Sequence, residues 1–255
     1  VEVEDPRFIR QQEIIPLKAI QELTVLVAGV GAVGRQVALQ LAAMGIGTGG
    51  EGGRLILVDP DVVERHNCAT QGYTQGDENK NKSIVTTVDC RGIHGVGERG
   101  IQYYSYGEGV KAEDIDYGDE KVDIVFVCVD NMEARGRIWR RIIKTGKGIK
   151  LVIDTRMDSE VIRILTVPLD DSDDMDAMVV VDRYVREALF ADEKATEGRC
   201  TARMTIYSAA VNAGLAVAQF AKWLRRDKGI PLQKDISFNL LTMELSDLYG
   251  NGGSR

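Results

Sequence analysis

Histidine and cysteine are scarce in this 255-residue chain. His66 and His94 stand at no ligand or catalytic spacing, and Cys68, Cys90, Cys128 and Cys200 form no C-x-x-C pair. Such usage fits reduced thiols and excludes a disulfide framework or a closed zinc site. No segment approaches the ~20 consecutive apolar residues of a membrane span. The acidic N-terminus lacks the basic-then-apolar order of an export signal, so a cytoplasmic location is expected. A basic face for nucleic acid is missing too: 32 Lys and Arg stand against 39 Asp and Glu, a formal net charge of −7. Internal repeats and low-complexity tracts are absent. What remains, 44% hydrophobic and 28% charged residues, is ordinary for a soluble globular protein with one sizeable core.

The most informative stretch is Thr24-Val25-Leu26-Val27-Ala28-Gly29-Val30-Gly31-Ala32-Val33-Gly34, followed by Leu55-Ile56-Leu57-Val58-Asp59-Pro60-Asp61. It reads as a buried strand, a glycine turn opening a helix, and a second strand ending in acid. Gly29 suits the tight turn, Gly31 lets backbone approach a phosphate, and Gly34 lets helix and sheet pack closely. The helix N-terminus offers unpaired N–H groups and partial positive charge. Asp59 at a strand tip is placed to accept hydrogen bonds from ribose hydroxyls. An adenine nucleotide is the expected ligand; the motif alone leaves NAD, FAD, S-adenosylmethionine and ATP open.

Along the chain, residues 5–20 read as an N-terminal helical arm, 23–29 as the first strand and 32–44 as a helix. Residues 45–53, rich in glycine, read as a flexible extension. Residues 80–90 have helical periodicity and 101–106 alternate like a strand. The apolar run 122–129 has the character of a buried parallel strand, and is followed by a helix over 132–145 and a strand at 150–153. Repeated strand–helix alternation predicts an α/β fold with a doubly wound, Rossmann-like, mostly parallel sheet. The last third is modified: a strand at 161–167, a polar crossing over 170–199 with five aspartates between 170 and 176, an amphipathic helix over 206–224 and a strand at 235–245.

Several features align with the glycine turn: Arg7-Phe8-Ile9-Arg10-Gln11 before the first strand, Asp59-x-Asp61, Asn67, Lys82, and Asp130-Asn131 with Arg135 behind. In this order they resemble the ThiF/MoeB adenylating family, which includes the ubiquitin-activating enzymes, over residues 5–167 and again over 198–225. The resemblance implies a single adenylation domain over 1–255, with an arm at 5–20, a crossover loop at 168–199 and a helix at 200–225. It implies ATP and Mg²⁺, and joining of a protein's C-terminal carboxylate to the α-phosphate. Gly29, Gly31, Gly34, Asp59, Asp61, Asn67, Lys82, Asp130 and Asn131 would then hold the nucleotide. Lys82 would meet phosphate charge that grows in the transition state, and Asp130 would hold Mg²⁺. Arg10 would enter the site of a partner subunit, making the working unit a homodimer. Each position has a plainer alternative: a solvated helix charge for Lys82, a helix N-cap for Asp130, a frayed arm for Arg10, a structural ion pair for Arg135.

Two departures stand out. Thr70 occupies the place where family members carry an arginine, and the two C-x-x-C pairs that bind zinc in many relatives are missing, so no zinc is expected. The block Gly198-Arg199-Cys200-Thr201-Ala202-Arg203 is similar to the Cys-Thr-x-Arg pattern at the catalytic cysteine of ubiquitin-activating enzymes. A thiol near a helix N-terminus and flanking arginines has its pKa lowered, so Cys200 is the candidate thioester carrier; the alternative is a packing cysteine. The expected partners are a small ubiquitin-like (β-grasp) or sulfur-carrier protein and a downstream thiol-bearing carrier. Three other functions stay open: an NAD(P)-dependent oxidoreductase, a non-catalytic adenylation-fold partner, and activation of a small-molecule or tRNA-linked carboxylate.

Overall fold

In the computed structural model, residues 5–50, 52–95, 102–115, 121–143, 148–170, 175–189 and 204–248 are described. The apolar runs become strands β1 (Val25–Ala28), β2 (Leu55–Val58) and β4 (Ile124–Val127), each buried at every position. Continuous burial is what a parallel strand covered on both faces requires. With β3 (Tyr103–Ser105) and β5 (Leu151–Asp158) they form a parallel half-sheet. Strands β6 (Val161–Pro168), β7 (Asp235–Asn239) and β8 (Glu244–Asp247) extend it antiparallel, giving the order β3-β2-β1-β4-β5-β6-β7-β8.

Successive residues of a strand point to opposite faces, and two cores result. Val25, Val27, Leu57, Ile124 and Phe126 pack beneath α2 (Ala32–Met44) and α7 (Ile206–Trp223). Leu26, Ile56, Val125 and Val127 face α5 (Met132–Ile138) and α6 (Met175–Arg183). The rings of Phe126 and Phe220, 6.1 Å apart and inclined at 75°, fix α7 to β4. Such edge-to-face pairs add about 0.5–1.5 kcal/mol to the burial itself.

The chain runs outward from β1 through β2 to β3, then returns to place β4 on the other side of β1. Ala28 is level with both Val58 and Val127, so the loops that leave these three strands open into one crevice. Ligands of doubly wound sheets bind at such a reversal.

Several expected elements differ. Only α1 (Leu17–Gln21) of the arm is helical; the residues before it form turns anchored by buried Phe8 and Ile15. The ends of 45–53 are packed against the fold, and among its described glycines only Gly50 faces open space: a Cβ on Gly53 would stand 2.6 Å from the Leu23 nitrogen, and one on Gly47 would run into the Tyr103 ring. The polar segment after 170 contains α6 and a π turn, Tyr184–Ala188, because Val180, Tyr184 and Ala188 recur at a spacing that buries one face. The helix after Asn131 ends at Ile138 and continues as a π turn, Trp139–Ile143. The final strand is a hairpin of two, turning through Met243 at φ 57°.

Candidate functional site

Gly29 ends β1 at φ +86°, where a Cβ would lie 2.9 Å from the Cys128 carbonyl oxygen. Side chains are excluded there by conformation and by space alike. Gly34, on the first turn of α2, lies against the Gly29 carbonyl, so its missing side chain sets how near the helix comes to the sheet. Gly31 differs. Its φ is −68° and the nearest atom to a hypothetical Cβ is Gln71 Oε1 at 3.8 Å. Space does not require glycine at 31, since a Cβ there would meet only the Gln71 amide at ordinary contact distance; the bare backbone suits a ligand brought against it. Gln71 Oε1 is buried there without a partner, an orphan acceptor group of the kind a bound molecule satisfies.

Asp59 is 5% exposed. Its Oδ2 accepts the Val30 N–H at 2.7 Å and its Oδ1 the Asp61 N–H at 3.0 Å. Burial raises its pKa, against the attraction of Lys82 and these N–H donors. The carboxylate therefore ties the tip of β2 to the glycine turn. Asn81 caps α4 (Lys82–His94) by accepting the Ile84 N–H at 3.1 Å, while its amide donates to the carbonyls of Asp59 and Asp61. This pins Lys82 beside the strand tip. Lys82 is buried, with its Nζ 3.2 Å from the exposed carboxylate of Asp61.

Asn67 begins α3 (Asn67–Gln71), and its Oδ1 accepts the Glu64 N–H at 2.8 Å inside the preceding turn. Thr70 donates its hydroxyl to the His66 carbonyl at 3.1 Å. At the end of β4, Asn131 rather than Asp130 caps α5, accepting the Ala134 N–H at 2.8 Å. Asp130 is left exposed, with the Asn131 amide on its Oδ1 at 3.1 Å. A nucleotide-borne Mg²⁺ needs only one or two protein carboxylates, and Asp130 suits that role. Among the described residues no cluster of three or more His, Cys, Asp or Glu forms a metal cage.

Arg135 is structural. Its guanidinium pairs with fully buried Asp154 and donates to the carbonyls of Val129 and Thr155. Burial, with Arg156 nearby, takes its pKa down to about 10. Burial likewise pushes the thiols of Cys90 and Cys128 up to about 12 and about 11, which makes both poor nucleophiles. Cys200, Arg199 and Arg203 lie outside the described residues.

Arg10 is exposed, two residues beyond Phe8, whose ring stands 5.4 Å from that of His94. Phe8 also approaches Gly45, the C-cap of α2. That end lies a whole helix from the glycine turn: 13 residues span about 20 Å. The arm so anchored puts Arg10 at the wrong end of its own subunit to reach its own crevice.

The sequence reading missed Gln71, Asn81 and Tyr73. Asparagine directly before the helical pattern that starts at Lys82 is a capping signal that could have identified Asn81; the other two carry no motif.

Glycine turn, strand-tip aspartate and switch-point crevice define a Rossmann-like α/β protein with a ligand site above β1 and β4. The match of the ThiF family model to residues 7–250 takes this further, and the chain belongs to that family. Ubiquitin-activating enzyme E1 1 of Candida albicans (strain WO-1) is 32% identical over 134 residues, covering 49% of this chain and 13% of that protein. Ubiquitin-like modifier-activating enzyme 5 of Dictyostelium discoideum is 29% identical over 140 residues, covering 50% and 34%. The match thus spans 13% and 34% of the length of these two curated relatives. The E. coli MccB structure with ATP superposes with a TM-score of 0.64 at 15% identity, over 95% of this chain and 71% of that one. PaaA gives 0.64 at 20% identity, over 96% and 84%. At such identities the likeness shows a shared fold.

Proposed function

We propose that the chain binds ATP in the crevice and joins the C-terminal carboxylate of a ubiquitin-like or sulfur-carrier protein to the α-phosphate, releasing pyrophosphate. The observation that carries this reading is buried Lys82, held beside Asp59 and Asp61 at the same edge as the glycine turn. A dinucleotide oxidoreductase has use for the glycines and Asp59 but none for a cation there. The family match and the MccB structure with ATP support the choice of nucleotide.

In this reading Asp59 orients the ribose, and the N–H groups at the start of α2 and the Lys82 ammonium hold phosphate oxygens as negative charge gathers on them. Asp130 and the neighbouring turn at Asn131 receive Mg²⁺, which neutralises phosphate charge when bound. Asn67 acts by fixing the loop that leads to Gln71, a positioning part more than a direct ligand. Arg10 serves the crevice of a second copy, so the active unit is a homodimer. The Cys200 thiolate attacks the adenylate's acyl carbon, displacing AMP and forming a thioester, and a downstream carrier's thiol then takes the acyl group by exchange, freeing Cys200. Thr70, with its hydroxyl on the His66 carbonyl, supplies no cation, which favours as second reading an adenylation-fold subunit that binds nucleotide without turnover.

Calorimetric titration with ATP and with NAD, each with Mg²⁺, tests the nucleotide. ATP binding with weak or no NAD binding is expected; tight NAD binding without ATP binding overturns the reading.

A further inference from the structure

Val30, the residue between the first two glycines, is held on both sides. Its N–H donates to Asp59 Oδ2 at 2.7 Å, and its carbonyl accepts the Tyr73 hydroxyl at 2.6 Å. Tyr73 is 3% exposed, and its hydroxyl lies 3.1 Å from Thr86 Oγ1. A phenol has one proton. At 2.6 Å the Val30 carbonyl takes it, with the Lys82 carbonyl a remote second at 3.5 Å. Thr86 must then donate its own proton to Tyr73, and it in turn accepts from Arg35 Nη1 at 3.3 Å. Arg35 is buried, paired with Asp89 at 2.7 Å, and stands 4.4 Å over the Tyr73 ring. The result is a one-way chain of donors from a cation, through Thr86 and Tyr73, to one backbone carbonyl. Such chains strengthen each member.

The consequence follows from peptide planarity. The carbonyl of Val30 and the N–H of Gly31 belong to one trans unit and point in opposite directions. A donor that fixes the carbonyl therefore fixes the N–H as well. Among the described residues no protein oxygen takes the Gly31 N–H, and a Cβ on Gly31 would meet nothing nearer than the Gln71 amide at 3.8 Å. We propose that Tyr73 is a positioning residue of the phosphate site: by holding the Val30 carbonyl it aims the Gly31 N–H into the crevice before ligand arrives. This rests on the reading that the crevice takes ATP. It assigns a role to a residue outside the glycine turn, and to the Arg35–Thr86 pair behind it.

Tyr73→Phe removes the hydroxyl and keeps the ring under Arg35. In the full chain, ATP with Mg²⁺ is expected to bind about three- to tenfold more weakly, the size of one lost hydrogen bond. Adenosine, which lacks phosphate, is expected to bind within about twofold of wild type, since its contacts do not pass through Gly31. A merely structural role would weaken both alike or neither. Ile20→Val, in the core away from the crevice, controls for lost stability and should leave both affinities unchanged. Should Tyr73→Phe fail to fold, Thr86→Val carries the test, with a smaller loss confined to ATP. The Gly31 amide resonance of the nitrogen-15-labelled protein, without nucleotide, is expected to move in Tyr73→Phe. Unchanged ATP affinity, an equal loss for adenosine, or an unmoved Gly31 resonance overturns the proposal. If wild type binds no ATP, the nucleotide reading falls by itself, and the Gly31 resonance still decides whether Tyr73 orients the turn.

Discussion

Gly31 and Gly34 belong to one motif, yet alanine at the two positions should give opposite results. At Gly34 a Cβ would overlap the Gly29 carbonyl oxygen outright and lie 2.9 Å from its carbon and 3.0 Å from Cys128 Cβ. Real Cβ atoms almost never come within 3.0 Å of a heavy atom, and the obstruction here is backbone, held by the Gly29 N–H bond to Val58 at 2.8 Å. Helix α2 would have to lift from a sheet it covers with Val37, Ala38 and Leu41, all fully buried. Overpacking ordinarily costs about 1–3 kcal/mol; with neither partner able to yield, Gly34→Ala should reach or exceed the upper figure. At Gly31 nothing lies closer than 3.8 Å and φ is −68°. Gly31→Ala should cost no more than about 1 kcal/mol, the poorer capping by alanine. It should nonetheless weaken ATP tenfold or more, because the methyl occupies the space left for phosphate. Urea unfolding gives the stabilities and calorimetry the affinities. Gly34→Ala as stable as wild type, or Gly31→Ala with full ATP affinity, refutes the division of roles.

Three further outcomes follow from the same geometry. If Arg10 works in a partner's crevice, Arg10→Ala and Lys82→Ala proteins, each inactive alone, should recover about a quarter of wild-type ATP–pyrophosphate exchange when mixed, since half the dimers are mixed and each holds one complete site; no recovery contradicts the crossing. Cys200→Ala should keep exchange and lose a substrate adduct that reducing agent cleaves, whereas an adduct that persists or maps to Cys68 refutes the assignment. Asp59 has its pKa raised by burial, so its contribution to stability is fullest below the unfolded carboxylate range and is lost as pH rises through the higher folded value. The stability of Asp59→Asn relative to wild type should therefore improve from acid to neutral pH in urea unfolding; a decline would mean that Lys82 and the two N–H donors outweigh burial.

The sequence was most legible where one local cause decides the structure. Apolar runs too long to face water on either side foretold β1, β2 and β4, and a helix start with acid-tipped strands foretold the crevice. Residues 175–189 escaped because aspartates dominate the approach to them, while full burial among their described side chains falls on Val180, Tyr184 and Ala188. The hairpin β7–β8 read as one strand, since its turn holds no glycine or proline and is marked only by Asn239, whose Oδ1 accepts the Leu241 N–H, and the left-handed Met243. At the site, Asp59 was a candidate from its place at a strand tip after the glycine turn, and Lys82 only from the family resemblance. Their supports were not: Asn81, Tyr73 and Arg35 act through contacts between segments far apart in sequence, and Asp130 could be freed from the capping role only by seeing Asn131 take it.

Carboxylate activation with ATP is the chemistry proposed for this crevice. Its most direct test is the exchange of labelled pyrophosphate into ATP by the full chain with Mg²⁺ and a ubiquitin-like protein ending in Gly-Gly. Label should enter ATP only when that protein's terminal carboxylate is free, and Lys82→Ala and Asp130→Ala should each reduce the rate by ~10²–10³, the worth of one such contact in a transition state. Exchange that persists with an amidated C-terminus, or at near-normal rate in either variant, would contradict the account.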